Sequence, residues 1–261
     1  MKGIVFFDYD GTLVDESCKI FRPTKTTLSS IEKLRKNGFS AILSTGRAKC
    51  YVPDTGIIWD GIIASNGAYA EIDGKTVYSN LVDDALLAEL MERADELGYV
   101  YVLENQDWCY TNGMKNENFL KMLNRFDINK ERFRPVSEAE KPCANKMFLT
   151  YESEEAYERI KKEFEGKFVL GVHRGSFSCD CDPVGNNKGI GVRRMIEYTG
   201  TDPQSTYAFG DGPNDYGLLS SAGHGIAMGV HHESLDSICE KVAPTVAEEG
   251  VTAALKEYGL I

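Results

Sequence analysis

Short uninterrupted apolar runs alternate with helix-like segments at the start of the chain. The first run, residues 3–7, has no polar alternation, which is typical of a strand buried on both faces of a parallel sheet. Residues 24–36 then place apolar side chains at helical spacing, and the Asn-Gly pair at 37–38 predicts the end of that helix. Further apolar runs occupy residues 39–43 and 61–65. Strands and helices joined by short connections predict a doubly wound sheet with right-handed crossovers.

The same alternation returns near the end of the chain. In order, the pattern predicts a helix at 188–198, a strand at 206–209, a helix start at 213–219, a strand at 224–228, a helix at about 233–241, a last strand at 242–243 and a helix at about 251–258. These elements continue the doubly wound architecture.

The residues between these two blocks have a different order of elements. Helices are predicted at 83–97, 116–126 and 154–164, and strands at 99–103 (with an alternating pattern), 146–151, 168–172 and 176–182. This order is typical of an α+β unit. We therefore expect an α/β protein in which residues 1–81 and 183–261 form a Rossmann-like, mostly parallel sheet domain, and residues 82–182 form an inserted cap.

Composition narrows the class of protein. The chain has 261 residues, 42% of them hydrophobic, with 40 Asp+Glu against 29 Lys+Arg and a net charge of −11. These values predict a folded acidic protein with an ample core, and they disfavour disorder and coiled coils. The excess of carboxylates repels polyanions, so we expect neither a nucleic-acid partner nor a membrane partner.

The seven cysteines are scattered and lack the paired spacing of a zinc site. We interpret them as free buried thiols in a reducing cytoplasm, an interpretation that agrees with the lack of a signal-peptide pattern at the N-terminus. Cys179 and Cys181 would share one face of a strand, as two small core residues.

Two carboxylates follow the first predicted strand, in Asp8-Tyr9-Asp10-Gly11-Thr12. In an open parallel sheet, ligands bind beyond the carboxyl ends of the strands. One carboxylate there could act as a nucleophile and the other as a proton donor and acceptor, as covalent phosphoryl transfer requires. The alternative is a simple turn, because Asp and Gly are common in turns.

A second acidic segment, Gly210-Asp211-Gly212-Pro213-Asn214-Asp215, follows a later strand. One interpretation is that the segment is only a well-capped helix start, without any ligand. However, Mg²⁺ prefers one or two carboxylates together with water and substrate phosphate. Asp8 together with Asp211 fits that requirement.

Thr45 and Lys188 supply groups that could bind a phosphate. The segment 44–47 (STGR) presents a hydroxyl and backbone N–H groups at a strand end, although it could equally be a small polar turn. Lys188 lies in the first turn of a helix, where the dipole disfavours a cation. An anionic ligand or Asp8 would compensate that cost, whereas a solvated surface lysine remains the alternative.

Together these four segments resemble the haloacid dehalogenase superfamily, in particular its Cof-type sugar-phosphatase branch with an inserted α/β cap. The matching motifs are Asp8-Tyr9-Asp10-Gly11-Thr12, Thr45-Gly46-Arg47, Lys188-Gly189 and the segment 210–215, and Asn66-Gly67-Ala68 also matches that branch. Two features depart from the pattern: Ala48 stands where many relatives have Pro, and residues 49–59 contain Pro53, Asp54 and Gly56 where a regular helix is usual.

The resemblance implies a Mg²⁺-dependent hydrolase of small-molecule phosphomonoesters, monomeric or a small homo-oligomer. It implies that Asp8 is the nucleophile and Asp10 the acid and base. It assigns the metal to Asp8, the backbone carbonyl of Asp10 and Asp211, with Asp215 orienting these ligands. The implied phosphate-binding groups belong to Tyr9, Thr45, Gly46, Lys188 and Asn214. Candidates for substrate recognition are Arg47, Asn66, His173 and Arg174, with Asp180 nearby; ordinary surface or hinge roles are the alternative for the last three.

Two other functions are compatible with parts of this pattern. A hexose phosphomutase has similar motifs but needs a bisphosphate activator. A signalling receiver also uses an acceptor Asp, a Thr and a Lys beside Mg²⁺, but it has no use for Asp10. Dehalogenase chemistry is disfavoured, because a proton-transferring Asp10 does not assist the departure of a halide.

Overall fold

The structure is a computed structural model of the chain and describes residues 1–125, 128–173 and 176–261. The chain divides into two compact units. The first consists of Met1–Gly46, Asp54–Ser79 and Asn187–Ile261, and the second of Arg47–Pro53 and Asn80–Asn186. The second unit therefore includes a short segment that directly follows Gly46.

The described residues form strands and helices with the following bounds. The strands are β1 (Gly3–Asp8), β2 (Phe39–Ser44), β3 (Gly61–Ala64), β4 (Tyr69–Ile72), β5 (Lys75–Ser79), β6 (Val100–Glu104), β7 (Cys109–Thr111), β8 (Phe133–Pro135), β9 (Lys146–Thr150), β10 (Phe168–Val172), β11 (Ser178–Pro183), β12 (Thr206–Gly210), β13 (His224–Ala227) and β14 (Lys241–Val242). The helices are α1 (Lys25–Lys36), α2 (Asp84–Leu97), α3 (Glu117–Arg125), α4 (Glu154–Glu163), α5 (Lys188–Thr199), α6 (Tyr216–Ser221) and α7 (Gly250–Glu257).

The first unit contains an eight-stranded sheet in the order β14-β13-β12-β1-β2-β3-β4-β5. The pairs from β14 to β3 are parallel, whereas β4 and β5 continue the sheet antiparallel. All six residues of β1 are buried, because the strand has neighbours on both sides and packing on both faces. The expected doubly wound, mostly parallel architecture is confirmed.

Alternate side chains of β1 pack in opposite directions. Ile4 and Phe6 pack with Val192 and Met195 of α5, whereas Phe7 stacks on Phe209 with ring centroids 5.3 Å apart. A strand of this kind needs apolar residues at every position, which explains the uninterrupted run in the sequence.

The second unit contains a six-stranded sheet in the order β10-β11-β9-β6-β7-β8, antiparallel except between β7 and β8. Leu87 and Leu90 of α2 pack with Tyr101 and Met147 on one face. A separate cluster on this unit joins Phe119 of α3 to Val102 and Phe148, with Ala48, Cys50 and Tyr51 packed against the same cluster. The segment Arg47–Pro53 is therefore part of the hydrophobic packing of this unit.

One expected helix is corrected, and several strands were not expected. The helix expected at about 233–241 is wrong: only Glu233–Leu235 forms a short 3-10 turn, because the Glu240 N–H donates to the Gly225 carbonyl and draws the chain into β14. Strands β4, β5, β7 and β8 were not expected. Phe126, the last residue of the expected helix 116–126, lies outside the described residues.

Among the helices described here, none has the length and apolar character needed to cross a membrane.

Candidate active site

The ends of three neighbouring strands bring together polar residues that are far apart in the sequence. Asp8 is the last residue of β1 and pairs in register with Ser44, so Thr45 follows β2 at the same edge. Phe7 pairs with Phe209, and therefore Asp211, which follows β12, lies at that edge as well. The parallel pairing alone thus assembles a carboxylate, a hydroxyl and a second carboxylate in one crevice.

Lys188 begins α5 and is completely buried between two carboxylates. Its Nζ donates to Asp8 Oδ1 at 2.5 Å and to Asp215 Oδ1 at 2.6 Å. Burial lowers the pKa of Lys188, but the Asp215 and Asp8 carboxylates outweigh this effect and raise the pKa above that of an ordinary lysine. They also offset the unfavourable helix dipole at this position.

Asp215 connects the acidic loop to this lysine. While Oδ1 accepts from Lys188, Oδ2 accepts from the backbone N–H groups of Asp211 and Gly212 at 3.0 and 2.9 Å. The side chain is almost fully buried, with 1% of its surface exposed. Its two oxygens therefore fix the orientation of the loop that carries Asp211.

Gly11 and Thr12 connect the first acidic motif to Asp211. Gly11 has φ +92°, and a Cβ built on it would lie 2.1 Å from Asp211 Oδ2, so only glycine can occupy this position without a shift. The Thr12 hydroxyl donates to Asp211 Oδ1 at 3.1 Å. Neither residue had a predicted role, although both belong to the Asp8–Thr12 motif.

Three carboxylates, those of Asp8, Asp211 and Asp215, have oxygens within 4.8 Å of one another. Burial and the neighbouring Asp215 raise the pKa of Asp8 well above its usual range, and the same two causes raise the pKa of Asp211 to about 7. The single positive charge of Lys188 does not balance the negative charges of these three carboxylates. An oxygen-coordinated divalent cation fits this donor set and this charge. The side chain of Asp10 is not part of the cluster, and Asp10 is exposed.

A second group of residues lies next to Thr45. The Thr45 N–H donates to the Ile63 carbonyl at 2.8 Å, and the Asn66 N–H donates to the Thr45 carbonyl at 3.2 Å. The Asn214 amide donates to Asn66 Oδ1 at 3.4 Å, and a Cβ on Gly46 would lie 2.9 Å from the same oxygen. The structure thus brings Thr45, Gly46, Asn66 and Asn214 together. Asn66 has a left-handed backbone (φ 51°), a costly conformation that is common at functional sites.

The remaining expected site residues have the following positions. Tyr9 is buried directly after Asp8, and its carbonyl accepts from the Leu13 N–H at 2.9 Å. Arg47 and His173 belong to the second unit, where the His173 ring stacks on Phe148 with centroids 5.4 Å apart and lies 3.6 Å from Asp180. Arg174 lies outside the described residues.

Comparisons with known proteins agree with this geometry. The sequence profile of the haloacid dehalogenase-like hydrolases matches residues 5–255. YkrA of Bacillus subtilis, which carries the name "Putative phosphatase", is 28% identical, and the match covers 99% of this chain and 98% of YkrA.

Solved structures show the same architecture over the whole chain. A hypothetical protein from Geobacillus kaustophilus has a TM-score of 0.84 at 29% identity, with 99% of both chains covered. The sugar phosphatase BT4131 of HAD subclass IIB has a TM-score of 0.79 at 24% identity, covering 99% of this chain and all of that one, and at this identity it supports the fold alone. The expected family and the expected class of enzyme, a phosphoric monoester hydrolase, are confirmed. The chain therefore belongs to the haloacid dehalogenase-like hydrolase family.

Proposed function

We propose that the protein is a Mg²⁺-dependent phosphatase that hydrolyses small phosphomonoesters, in particular sugar phosphates, through a phosphorylated Asp8. The observation that carries this proposal is the position of Asp8: it ends β1, contacts Lys188 at 2.5 Å and lies within the cluster of three carboxylates. Membership of a hydrolase family supports the reaction class, and the resemblance of the four motifs to the Cof-type sugar-phosphatase branch supports the substrate class.

Asp8, Asp211 and the backbone carbonyl of Asp10 would hold the Mg²⁺, with Asp215 orienting the loop that carries Asp211. When bound, the ion supplies positive charge that neutralises the phosphoryl oxygens, so that a carboxylate can approach them. The excess of buried carboxylates over lysine supports this assignment.

Asp8 is proposed to attack phosphorus with a carboxylate oxygen, forming an acyl phosphate as the ester oxygen leaves. Phosphoryl oxygens would be held by Lys188, Asn214, the Thr45 hydroxyl and the backbone N–H groups of Tyr9 and Gly46. The left-handed Asn66 would keep Asn214 in position through their hydrogen bond.

Asp10 is proposed to donate a proton to the leaving alkoxide and then to take one from the water that hydrolyses the acyl phosphate. The exposure of Asp10 supports this role, because a proton carrier must reach both substrate and water.

The inserted cap, residues 82–182 in the sequence-based division, is proposed to exclude water and contact the organic part of the substrate. Arg47, Asn66, His173 and Arg174 remain candidates for substrate recognition.

The test is release of inorganic phosphate from a panel of hexose, pentose and triose phosphates and nucleotides, with Mg²⁺ and with EDTA. We expect turnover of a subset of sugar phosphates that EDTA abolishes and Asp8→Asn eliminates, while Asp54→Asn, at an exposed carboxylate of the same unit, retains activity. Full activity of Asp8→Asn would contradict the proposal. Release that requires a bisphosphate activator would indicate a phosphomutase, and a stable phosphoprotein without turnover would indicate a receiver.

A further inference from the structure

Two thiols of the second unit lie in direct contact although they are 59 positions apart. Cys50 Sγ is 3.4 Å from Cys109 Sγ. Cys109 is completely buried in β7, whereas Cys50 is partly exposed. The expectation that all the cysteines are buried is therefore wrong, and Cys18 is exposed. The proposed phosphatase mechanism uses neither residue.

The neighbours of Cys50 hold it in this position. The Tyr51 hydroxyl donates to Glu104 Oε1 at 2.6 Å, and Glu104 pairs in register with Cys109 across β6 and β7. The Tyr51 ring also stacks on Phe133, which pairs in register with Cys109 from β8, with centroids 6.0 Å apart. Because Tyr51 is fixed to both strands that flank Cys109, the preceding Cys50 is directed towards that thiol.

Glu104 is itself held in a buried ionic network. Lys146, with 2% of its side chain exposed, lies 3.3 Å from Glu104 and 2.8 Å from Asp180. Moving Lys146 away would leave the two carboxylates without their cation, so the network resists rearrangement. Cys109, which pairs in register with Glu104, is therefore held in place, and closure of the contact moves Cys50.

We propose that Cys50 and Cys109 form a reversible disulfide in response to peroxide, and that this bond lowers the phosphatase activity. A disulfide needs sulfurs about 2.05 Å apart, so closure requires the two atoms to approach by about 1.4 Å. The two sulfurs are already in van der Waals contact, and the partial exposure of Cys50 gives an oxidant a route to the pair.

The reaction is balanced with peroxide as the oxidant. The accessible Cys50 thiolate attacks one peroxide oxygen, the O–O bond breaks, and a sulfenic acid and one water result after protonation. The Cys109 thiol then attacks the Cys50 sulfur, and its proton joins the expelled hydroxide, which leaves as a second water. Both thiols are oxidised and the peroxide is reduced. Burial and the contact with Cys50 raise the pKa of Cys109, which agrees with Cys109 acting second.

The effect on activity rests on the proposed function. Cys50 lies three residues after Arg47 and five after Thr45, which is proposed to hold phosphate. A displacement of about 1 Å in a positioning group can cost about 100-fold in rate, so drawing Cys50 towards β7 is expected to lower turnover at least tenfold.

The first test is independent of activity. The full-length protein is treated with hydrogen peroxide, digested without reduction and analysed by mass spectrometry for a peptide pair that joins Cys50 to Cys109. We expect this pair as the main product, its loss with dithiothreitol, and its absence in Cys50→Ser and in Cys109→Ser. Cys18→Ser, at an exposed cysteine, should still form it. Oxidation that yields only other pairs or sulfonic acids would overturn the proposal.

The second test measures phosphate release before and after oxidation. We expect at least a tenfold loss that dithiothreitol reverses in the wild type and in Cys18→Ser, and no loss in Cys50→Ser, whose activity before oxidation should equal that of the wild type. A mapped disulfide with unchanged turnover would overturn the regulatory proposal and leave the phosphatase proposal intact. An inactive reduced protein that still forms the disulfide would instead contradict the proposed function.

Discussion

Lys188 Nζ donates a 2.5 Å hydrogen bond to Asp8 Oδ1 across 180 positions of the chain. The contact joins the first residue of α5 to the last residue of β1, and neither side chain has more than 8% of its surface exposed. A buried lysine at this point holds the proposed nucleophile in one orientation and supplies positive charge where a phosphoryl group would bind.

Replacing Lys188 with Met should abolish measurable turnover and destabilise the protein. The variant keeps the length of the side chain but leaves Asp8 and Asp215 buried without their cation. Breaking a buried ion pair in this way costs about 3–5 kcal/mol. Urea unfolding followed by circular dichroism, without metal, measures the loss. Lys141→Met, which breaks an ion pair on the surface, should leave the unfolding midpoint unchanged, and an equal effect of the two variants would contradict the role of burial.

Mg²⁺ affinity should increase with pH up to about pH 7. The pKa of Asp211 is raised to about 7, so below that pH the metal-free protein holds a proton that the ion must displace. The apparent Kd should fall by up to about tenfold per pH unit from pH 5 to 7 for each displaced proton. Isothermal titration calorimetry in buffers of different ionisation enthalpy measures both the affinity and the proton release.

The raised pKa of Asp211 should also make the stability of the metal-free protein depend on pH. Between the usual carboxylate pKa of about 4 and the raised value, the folded state binds more protons than the unfolded state, so the free energy of unfolding should decrease as pH rises through this window. In Asp211→Asn this dependence should be weaker. A Kd that does not change from pH 5 to 7 would contradict the raised pKa of Asp211.

Gly11→Ala should weaken Mg²⁺ binding and lower turnover at least tenfold. The added Cβ would lie 2.1 Å from Asp211 Oδ2 and must displace that carboxylate. Gly74→Ala is the matched control, because Gly74 also has positive φ (+72°) but no atom within 4 Å of the built Cβ. Both variants should lose about 1 kcal/mol for the left-handed backbone. Equal Mg²⁺ titrations of the two variants would contradict the steric argument.

The sequence pattern predicted the central strands and the residues at their ends well. β1 and its neighbours are buried on both faces and need apolar residues throughout. The polar residues Asp8, Thr45 and Asp211 are therefore recognisable at the ends of these apolar runs. The register between the parallel strands then brings the three residues together at one edge of the sheet, so their proximity needs no other feature of the sequence.

Other features depend on tertiary contacts that carry no local signal. β6 is buried at all five positions, because helices cover both faces of its sheet, and so the expected alternation is not matched by alternating burial. Nothing in residues 47–53 indicates that they pack with the second unit, since this depends on Ala48, Cys50 and Tyr51 meeting strands far along the chain. The contact between Gly11 and Asp211 likewise appears only in three dimensions.

Phosphorylation of Asp8 is tested most directly by a search for phosphate on this residue in an Asp10→Asn variant. Removing the proposed base should slow hydrolysis of the acyl phosphate more than its formation, provided that the substrate has a good leaving group such as p-nitrophenolate. After acid quench and digestion, mass spectrometry reads the peptide that contains Asp8. We predict near-stoichiometric phosphate on Asp8 that hydroxylamine removes. Turnover with no phosphate on Asp8, or with phosphate on another residue, would contradict the mechanism.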